Sequence, residues 1–390
     1  MITYISADQI YPIEAPPIDK GILGIGTDGT IKLILTPQEA LNQNIRPGIH
    51  YKGIIVPGFV NTHCHLELSH LKGEIPIHTG LPEFVQQVIR HRSMETQAIA
   101  SAMKRADAEM YANGIVAVGD ISNQLISRSI KMESKIYYHT FVEAMGFNPV
   151  RAGAIMAAAV QTKKEFGPLK ASVVPHAPYS VSEELFKEIY NHALENEDAG
   201  SMHNQETDAE NSFFKDKSGD FLGLYRFLGL DISFYSPSGK SSLQTVLPML
   251  SPQKMLLVHN TVTNREDLAF AKKHHANLYW CLCPNANLYI ENRLPDVQLL
   301  MEAGVKLTLG TDSLASNQEL SILSEMKILQ QHKAIGLNDL LHWATINGAE
   351  FLGISEQFGT LAAGKRPGIN LIEHAEDGVL TNRTTIRRLF

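Results

Sequence analysis

Cysteine is almost missing from this chain. Cys64, Cys281 and Cys283 are the only three in 390 residues, too few for a disulfide framework. Cys281 and Cys283 sit in the apolar run "WCLC" without zinc-knuckle spacing and read as buried, inert thiols. Long apolar runs are missing too: "AIMAAAV" is the most apolar helical stretch, far short of the ~20 residues that a membrane span needs. Positive charge is in deficit, with 34 Lys and Arg against 41 Asp and Glu and a net charge of −7. That balance argues against a nucleic-acid partner, whose phosphates demand Lys and Arg; the basic end "NRTTIRRLF" reads as a solvated terminus. The opening "MITYISADQIYPIEAPP" has no basic stretch followed by an apolar one, so no secretory leader is expected. A cytoplasmic protein with a small-molecule partner, and with neither nucleic acid nor membrane, is the expectation.

What the chain does have is a core, an alternation and many histidines. At 44% hydrophobic and 19% charged it is an ordinary globular composition. From about residue 54, eight short β-like runs alternate with amphipathic helical segments: "GIIVPGFVNTHCH", "IVAVGDI", "KIYYHTFVEA", "KASVVPHA", "GSMHNQ", "KMLLVHN", "NLYWCLC" and "VKLTLGTD". Ser180 with Glu183 and Thr263 with Glu266 fit helix capping boxes. Gly114 and Gly304 stand where helices should stop. Eight such units predict an α/β fold, a (β/α)8 TIM barrel, over residues 56–355. Residues 1–55 and 356–390 break the alternation and read as short strands; each alone is too small to be stable. They are expected to combine into one small β-sandwich domain.

The chemistry-bearing residues cluster at strand ends. His63 and His65, in "PGFVNTHCHLELSH", lie two residues apart, a spacing that puts both side chains on one face of a strand. His176 ends the fourth predicted strand, His203 and Glu206 the fifth, His259 the sixth and Asp312 the eighth. Any one of the seven alone reads as a polar strand end, a cap or a satisfied core histidine. Together they fall on the C-terminal rim of the predicted barrel, where such barrels carry their active sites.

The stretches "PGFVNTHCHLE", "PHAPYSVS", "HNQETDAEN", "VHNTV" and "CPNANLYI…LGTDSLASN" resemble the amidohydrolase superfamily, specifically its mononuclear zinc deaminase branch, over nearly the whole chain. The resemblance implies one divalent metal ion, Zn2+ or alternatively Fe2+, on His63, His65, His203 and Asp312. It implies Glu206 as the catalytic acid and base, His259 as the residue that orients the attack, Asp312 as a second proton carrier and His176 as a substrate contact. Three imidazoles and a carboxylate suit zinc on chemical grounds. Dinuclear relatives carry a lysine on the fourth strand where "KASVVPHAP" presents His176, so one metal is expected. The wording is most similar to deaminases of adenine-type nucleosides, including aminodeoxyfutalosine deaminases. The implied reaction is hydrolytic conversion of a 6-aminopurine nucleoside derivative to its oxo form with release of ammonia. Guanine, cytosine or pterin deamination, chlorotriazine hydrolysis and cyclic amide hydrolysis use related groups. A barrel keeping a structural metal without catalysis is the alternative outside enzymology. The family also suggests a homodimer.

Further candidates are weaker. Glu143, near the end of the third strand, and Arg90 or Arg92, in the segment after the first, are candidate substrate contacts; the arginines would meet an anionic part of the substrate. Glu67 and Glu210 read either as supports that hold ligating imidazoles by hydrogen bonds or as plain helix-start acids. His70, His78, His91, His274 and His275 read as loop or surface residues. Cys64 should point away from the metal, toward the helices. The segment "GTLAAGKRPGINLIEH" departs from the family's usual ending: Pro367-Gly368-Ile369 replaces a small-acidic pair that belongs to the scaffold, not to the chemistry.

Overall fold

A computed structural model describes all residues, 1–390. The chain opens with β1 (Ile2–Ile10), β2 (Ile18–Asp19), β3 (Ile22–Gly26), β4 (Ile31–Leu35) and β5 (Ile49–Pro57). Eight strands follow, each but the last leading through helical segments to the next: β6 (Phe59–Cys64), β7 (Ile115–Ile121), β8 (Tyr137–Ala144), β9 (Lys170–Pro175), β10 (Gly200–Asn204), β11 (Met255–His259), β12 (Leu278–Leu282) and β13 (Lys306–Leu309). The chain closes with β14 (Ile369–Glu373) and β15 (Thr385–Arg388). No helix is long and apolar enough to cross a membrane.

The eight central strands form two parallel four-stranded sheets, β6-β7-β8-β9 and β10-β11-β12-β13. The sheets meet at both edges. At one, the His203 amide donates to the His176 carbonyl at 2.9 Å. At the other, Cys64 and Asp312 form a parallel bridge, and the Thr311 and Asp312 amides donate to the His63 carbonyl. Gly310 makes that second approach possible, since a Cβ there would lie 2.8 Å from both His63 Cβ and Cys281 Sγ. The strands read as near-continuous apolar runs because parallel strands are covered on both faces. An inner cluster including Val60, Phe141, Val258 and Phe351 fills the space between the sheets. A cluster of 70 buried residues lies under the helices. Cys64 belongs to that larger cluster with Met103 and Met110, as expected.

The two chain ends do join. β14 pairs antiparallel with β5, and β15 with β14, in a seven-stranded sheet ordered β15-β14-β5-β1-β3-β4, with β2 on β1. Where two facing sheets were expected, the pairing gives one continuous sheet. Its own core of ten residues includes Ile5, Leu23, Ile55 and Leu371. Strand β5 explains the difference: it accepts β1 on one edge and β14 on the other, so both ends extend one hydrogen-bond ladder.

Helix ends are partly as expected. The helix Thr96–Ala112 stops through Asn113 into Gly114, whose φ of 78° only glycine adopts at no cost. The expected caps Ser180 and Thr263 are one or two residues off: the caps are Ser182, and Asn264 in a capping box with Asp267. The displaced hydroxyls have other partners. Ser180 Oγ lies 2.7 Å from His176 Nδ1, and Thr263 Oγ1 donates to Gln205 Oε1. Both serve loops that carry the candidate site.

Candidate active site

The first two histidines are aimed by an irregularity. Along β6, Asn61 points to the helices, where its Nδ2 reaches Met110 Sδ, whereas Thr62 points inward to Thr308 Oγ1 and Cys281 Sγ. Strict alternation would send His63 outward with Asn61. The β6–β7 register shifts between Asn61 and Cys64, and this bulge brings His63 and His65 to the same side as Thr62. Their Nε2 atoms are 3.1 Å apart.

His203, on β10, completes a trio: its Nε2 lies 3.2 Å from that of His65. Its Nδ1 donates to the His176 carbonyl at 2.8 Å, which leaves the Nε2 lone pair free. Asp312 Oδ1 stands 3.5 Å from His63 Nε2 and 3.4 Å from His65 Nε2. The other Asp312 oxygen is occupied by the Ser316 hydroxyl at 2.5 Å. All four ligand atoms lie within 4.8 Å of one another. Zinc bonds of ~2.0–2.1 Å in a tetrahedron would set their donors about 3.3 Å apart, and the four close separations bracket that value. Burial pushes His65 down to about 3 and His203 well below the usual imidazole range, with neighbouring imidazoles acting the same way. Uncharged rings whose ring nitrogens face one another are what a cation requires. For Asp312, burial pushes the carboxyl up, but the His63 hydrogen bond and the surrounding imidazoles outweigh it and hold it below its ordinary value.

Two more residues face this centre. Glu206 is buried, with Oε1 3.7 Å from His259 Nε2. Burial, and then Asp312, raise its carboxyl well above the usual range. Its loop is pinned by Glu210, whose carboxylate accepts the Gln205 amide at 3.0 Å and the Glu206 amide at 3.4 Å. His259 Nδ1 lies 3.5 Å from Asn287 Oδ1, and burial holds this ring near 4. Gln205, His259 and Asp312 have φ of 45°, 75° and 55°. Left-handed backbone at non-glycine residues costs ~1–3 kcal/mol each and gathers at functional sites. Here it falls at the ends of β10, β11 and β13, where the chain turns sharply to aim a side chain.

A cavity of about 430 Å³ opens over the centre, within the range for small-molecule sites. His65, His176, His203, Glu206, His259 and Asp312 all line it. His176 is partly buried, with Nδ1 on Ser180. Glu143 lines it too: Oε1 is 3.5 Å from His203 Nδ1, Asn123 Nδ2 donates to Oε2, and burial raises the carboxyl to about 8. Glu67 also lines the cavity and accepts the Asn123 and Gln124 amides.

Arg90 is the exception. It lies on the outer side of the helix Leu81–His91, beside Glu83 and Gln86 and 4.9 Å above the Phe227 ring, and does not line the cavity. Arg92, just past the end of that helix, does. Two residues at 100° per step face in clearly different directions, and the sequence could not say which faced inward. Arg151 and the apolar side chains of Leu81, Phe84, Phe147 and Tyr225 complete much of the wall. Sequence reasoning gave no role to Asn287 or Ser316, although both sit inside the quoted stretches "CPNANLYI" and "LGTDSLASN". It missed Asp120 as well, a charged residue near the end of an apolar strand.

An adenosine deaminase of Helicobacter pylori is 26% identical over 325 residues, spanning 82% of this chain and 78% of its own. A 5-methylthioadenosine/S-adenosylhomocysteine deaminase of Bacillus cereus is 28% identical over 333 residues, 80% of this chain and 71% of its own. The crystal structure of Helicobacter pylori aminofutalosine deaminase with methylthio-coformycin superposes with a TM-score of 0.84 at 22% identity, covering 100% of each chain. The amidohydrolase family model matches residues 54–386. The chain belongs to the amidohydrolase family.

Proposed function

We propose that this protein is a metal-dependent hydrolytic deaminase of an aminated heterocycle, a 6-aminopurine nucleoside derivative. The observation that carries the reading is the convergence of His63, His65, His203 and Asp312 on one point, with Glu206 and His259 beside it at the base of a cavity. We take residues 56–355 as a (β/α)8 barrel closed by the two edge contacts, and residues 1–55 with 356–390 as the companion domain.

His63, His65, His203 and Asp312 would hold one divalent ion, and their three nitrogens and one oxygen favour zinc. Such an ion, when bound, polarises a water and lowers its pKa from ~15.7 toward ~7. Glu206 takes a proton from the attacking water and delivers it to the ring nitrogen next to the amino-bearing carbon. His259, its Nδ1 held by Asn287, orients the attacking water toward that carbon. Asp312 keeps the second proton until it passes to the amino group, and ammonia leaves as the carbon–nitrogen bond breaks and the carbonyl forms. His176 and Glu143 face the substrate from β9 and β8. The apolar wall of Leu81, Phe84, Phe147 and Tyr225 accommodates a substituent beyond the purine, and Arg92, in the role expected of Arg90, meets an anionic group on it.

An ammonia-release screen of zinc-loaded protein over purines, 5′-substituted adenosines, pyrimidines, pterins, chlorotriazines and cyclic amides tests this. Turnover of a 6-aminopurine nucleoside, seen as the shift from the amino to the oxo spectrum, is the expected result. Turnover confined to another class would replace the substrate assignment, and none at all would remove the enzyme reading.

A further inference from the structure

One Lys–carboxylate pair in the chain has both side chains sealed from solvent: Lys131 Nζ lies 2.6 Å from Asp120 Oδ2. Lys131 is on the helix Arg128–Glu133, just after β7. Its ammonium also donates to Ser122 Oγ at 2.8 Å and Thr140 Oγ1 at 3.0 Å, and it sits between the rings of Tyr138 and Phe166. Three donors thus meet three acceptors, which is all an ammonium can make. A buried pair of this kind is weak ground for stability, because well-packed apolar residues often serve as well.

What the pair does make is a fixed acceptor. Asp120 Oδ1 receives the amide of Leu66, the residue after His65, at 2.8 Å. Asp120 is also the β7 partner of Cys64, where the ladder resumes after the bulge that aims His63 and His65. The contact has a counterpart in the opposite direction: Glu67, one residue further, accepts the amides of Asn123 and Gln124 after β7. The loops after β6 and β7 therefore clamp each other, carboxylate to amide, in both directions, immediately after His65.

We propose that Asp120 and Lys131 are positioning residues for metal binding. Lys131 holds the Asp120 carboxylate in one rotamer, Asp120 holds the Leu66 amide, and that amide sets the orientation of His65. The inference rests on the reading that His63, His65, His203 and Asp312 bind a divalent ion.

Two double variants separate the acceptor from the buried charge. Asp120→Asn with Lys131→Met keeps an oxygen for the Leu66 amide, and Asp120→Leu with Lys131→Met does not. Zinc affinity is read by competition with a chromophoric chelator, alongside the melting temperature of the metal-free chains. The Leu/Met pair should bind zinc ~10–100-fold more weakly than wild type, the usual loss for a group supporting a metal ligand, and the Asn/Met pair within about threefold. A purely structural role would lower the metal-free melting temperature and leave the affinities alike. Equal affinities in the two doubles overturn the proposal, whether both match wild type or both are weak. Should the Leu/Met chain fail to fold, the single Lys131→Met variant, expected ~10-fold weaker than the Asn/Met double, decides in its place. Wild type that fails to bind zinc, or His65→Ala that binds it as tightly, removes the metal reading instead.

Discussion

His139 and His203 make an instructive pair. Both are buried imidazoles on central strands, and burial holds His139 down to about 3 and His203 well below its usual range. His139 lies near the start of β8, stacked on Phe141 with ring centroids 4.6 Å apart, Nε2 beside Ser172 Oγ and Nδ1 without a partner. His203 lies at the other end of its strand, with Nδ1 tied to a carbonyl and Nε2 turned toward other donors. Burial and a depressed pKa are common to both, so neither marks a site. Convergence does: at one end of the strands the polar atoms point at one another, and at the other they are absorbed singly into apolar packing.

Four experiments bear on that contrast. Glu206→Gln should cut kcat by ~10²–10⁴, the worth of a general acid–base group, with zinc content by metal analysis unchanged. Near-normal turnover would move the catalytic role elsewhere. Next, His63→Ala or His203→Ala should leave substoichiometric zinc and abolish turnover, whereas His139→Gln should keep both. A zinc-replete, active His203→Ala enzyme would erase the distinction between the two ends.

The third experiment uses pH. A histidine that ionises near 3 when folded and near 6.5 when unfolded leaves the unfolded chain binding more protons between those values. It therefore costs nothing above pH 6.5, and stability falls as pH drops from 6.5 toward 3. His139 should account for about 2 kcal/mol of the loss between pH 6.5 and 5. Denaturant unfolding of metal-free His139→Gln should show a flatter decline there, and an unchanged slope would place the acid sensitivity in other groups. Last, Arg92→Ala should raise KM roughly tenfold for a 5′-substituted adenosine carrying a carboxylate, the loss of one charge-assisted contact. Arg90→Ala should leave KM unchanged, because that guanidinium lies outside the cavity. Equal effects would mean that neither arginine meets the substrate.

Much of this arrangement could be read from the chain before folding. The eight strands were visible because a parallel strand buried on both faces is a short apolar run with a polar residue at its end. Six of the cavity-lining histidines and carboxylates, His65, His176, His203, Glu206, His259 and Asp312, and His63 beneath them, were visible because each stands at such an end. What escaped depended on less than a strand's length of geometry. Ser180 and Thr263 looked like helix caps because a hydroxyl followed three residues later by glutamate is a local signal. Their hydroxyls instead bond His176 and Gln205, contacts that no local pattern announces. Arg90 and Arg92 were interchangeable in the sequence and are not in the fold. The end sheet was expected to be two because nothing in residues 1–55 says that both edges of β5 are taken.

The order of strands and helices, the family and the identity of the residues at the strand ends follow from the sequence alone, since they depend on apolar periodicity and residue type. The aim of those residues belongs to the tertiary structure. Alternation by itself would have turned His63 away with Asn61. The bulge in β6, the left-handed backbone at Gln205, His259 and Asp312 and the carboxylate clamps just after His65 turn the donors toward a common centre. Those devices need partners from strands far apart in the chain, and only the folded packing of the eight central strands supplies them.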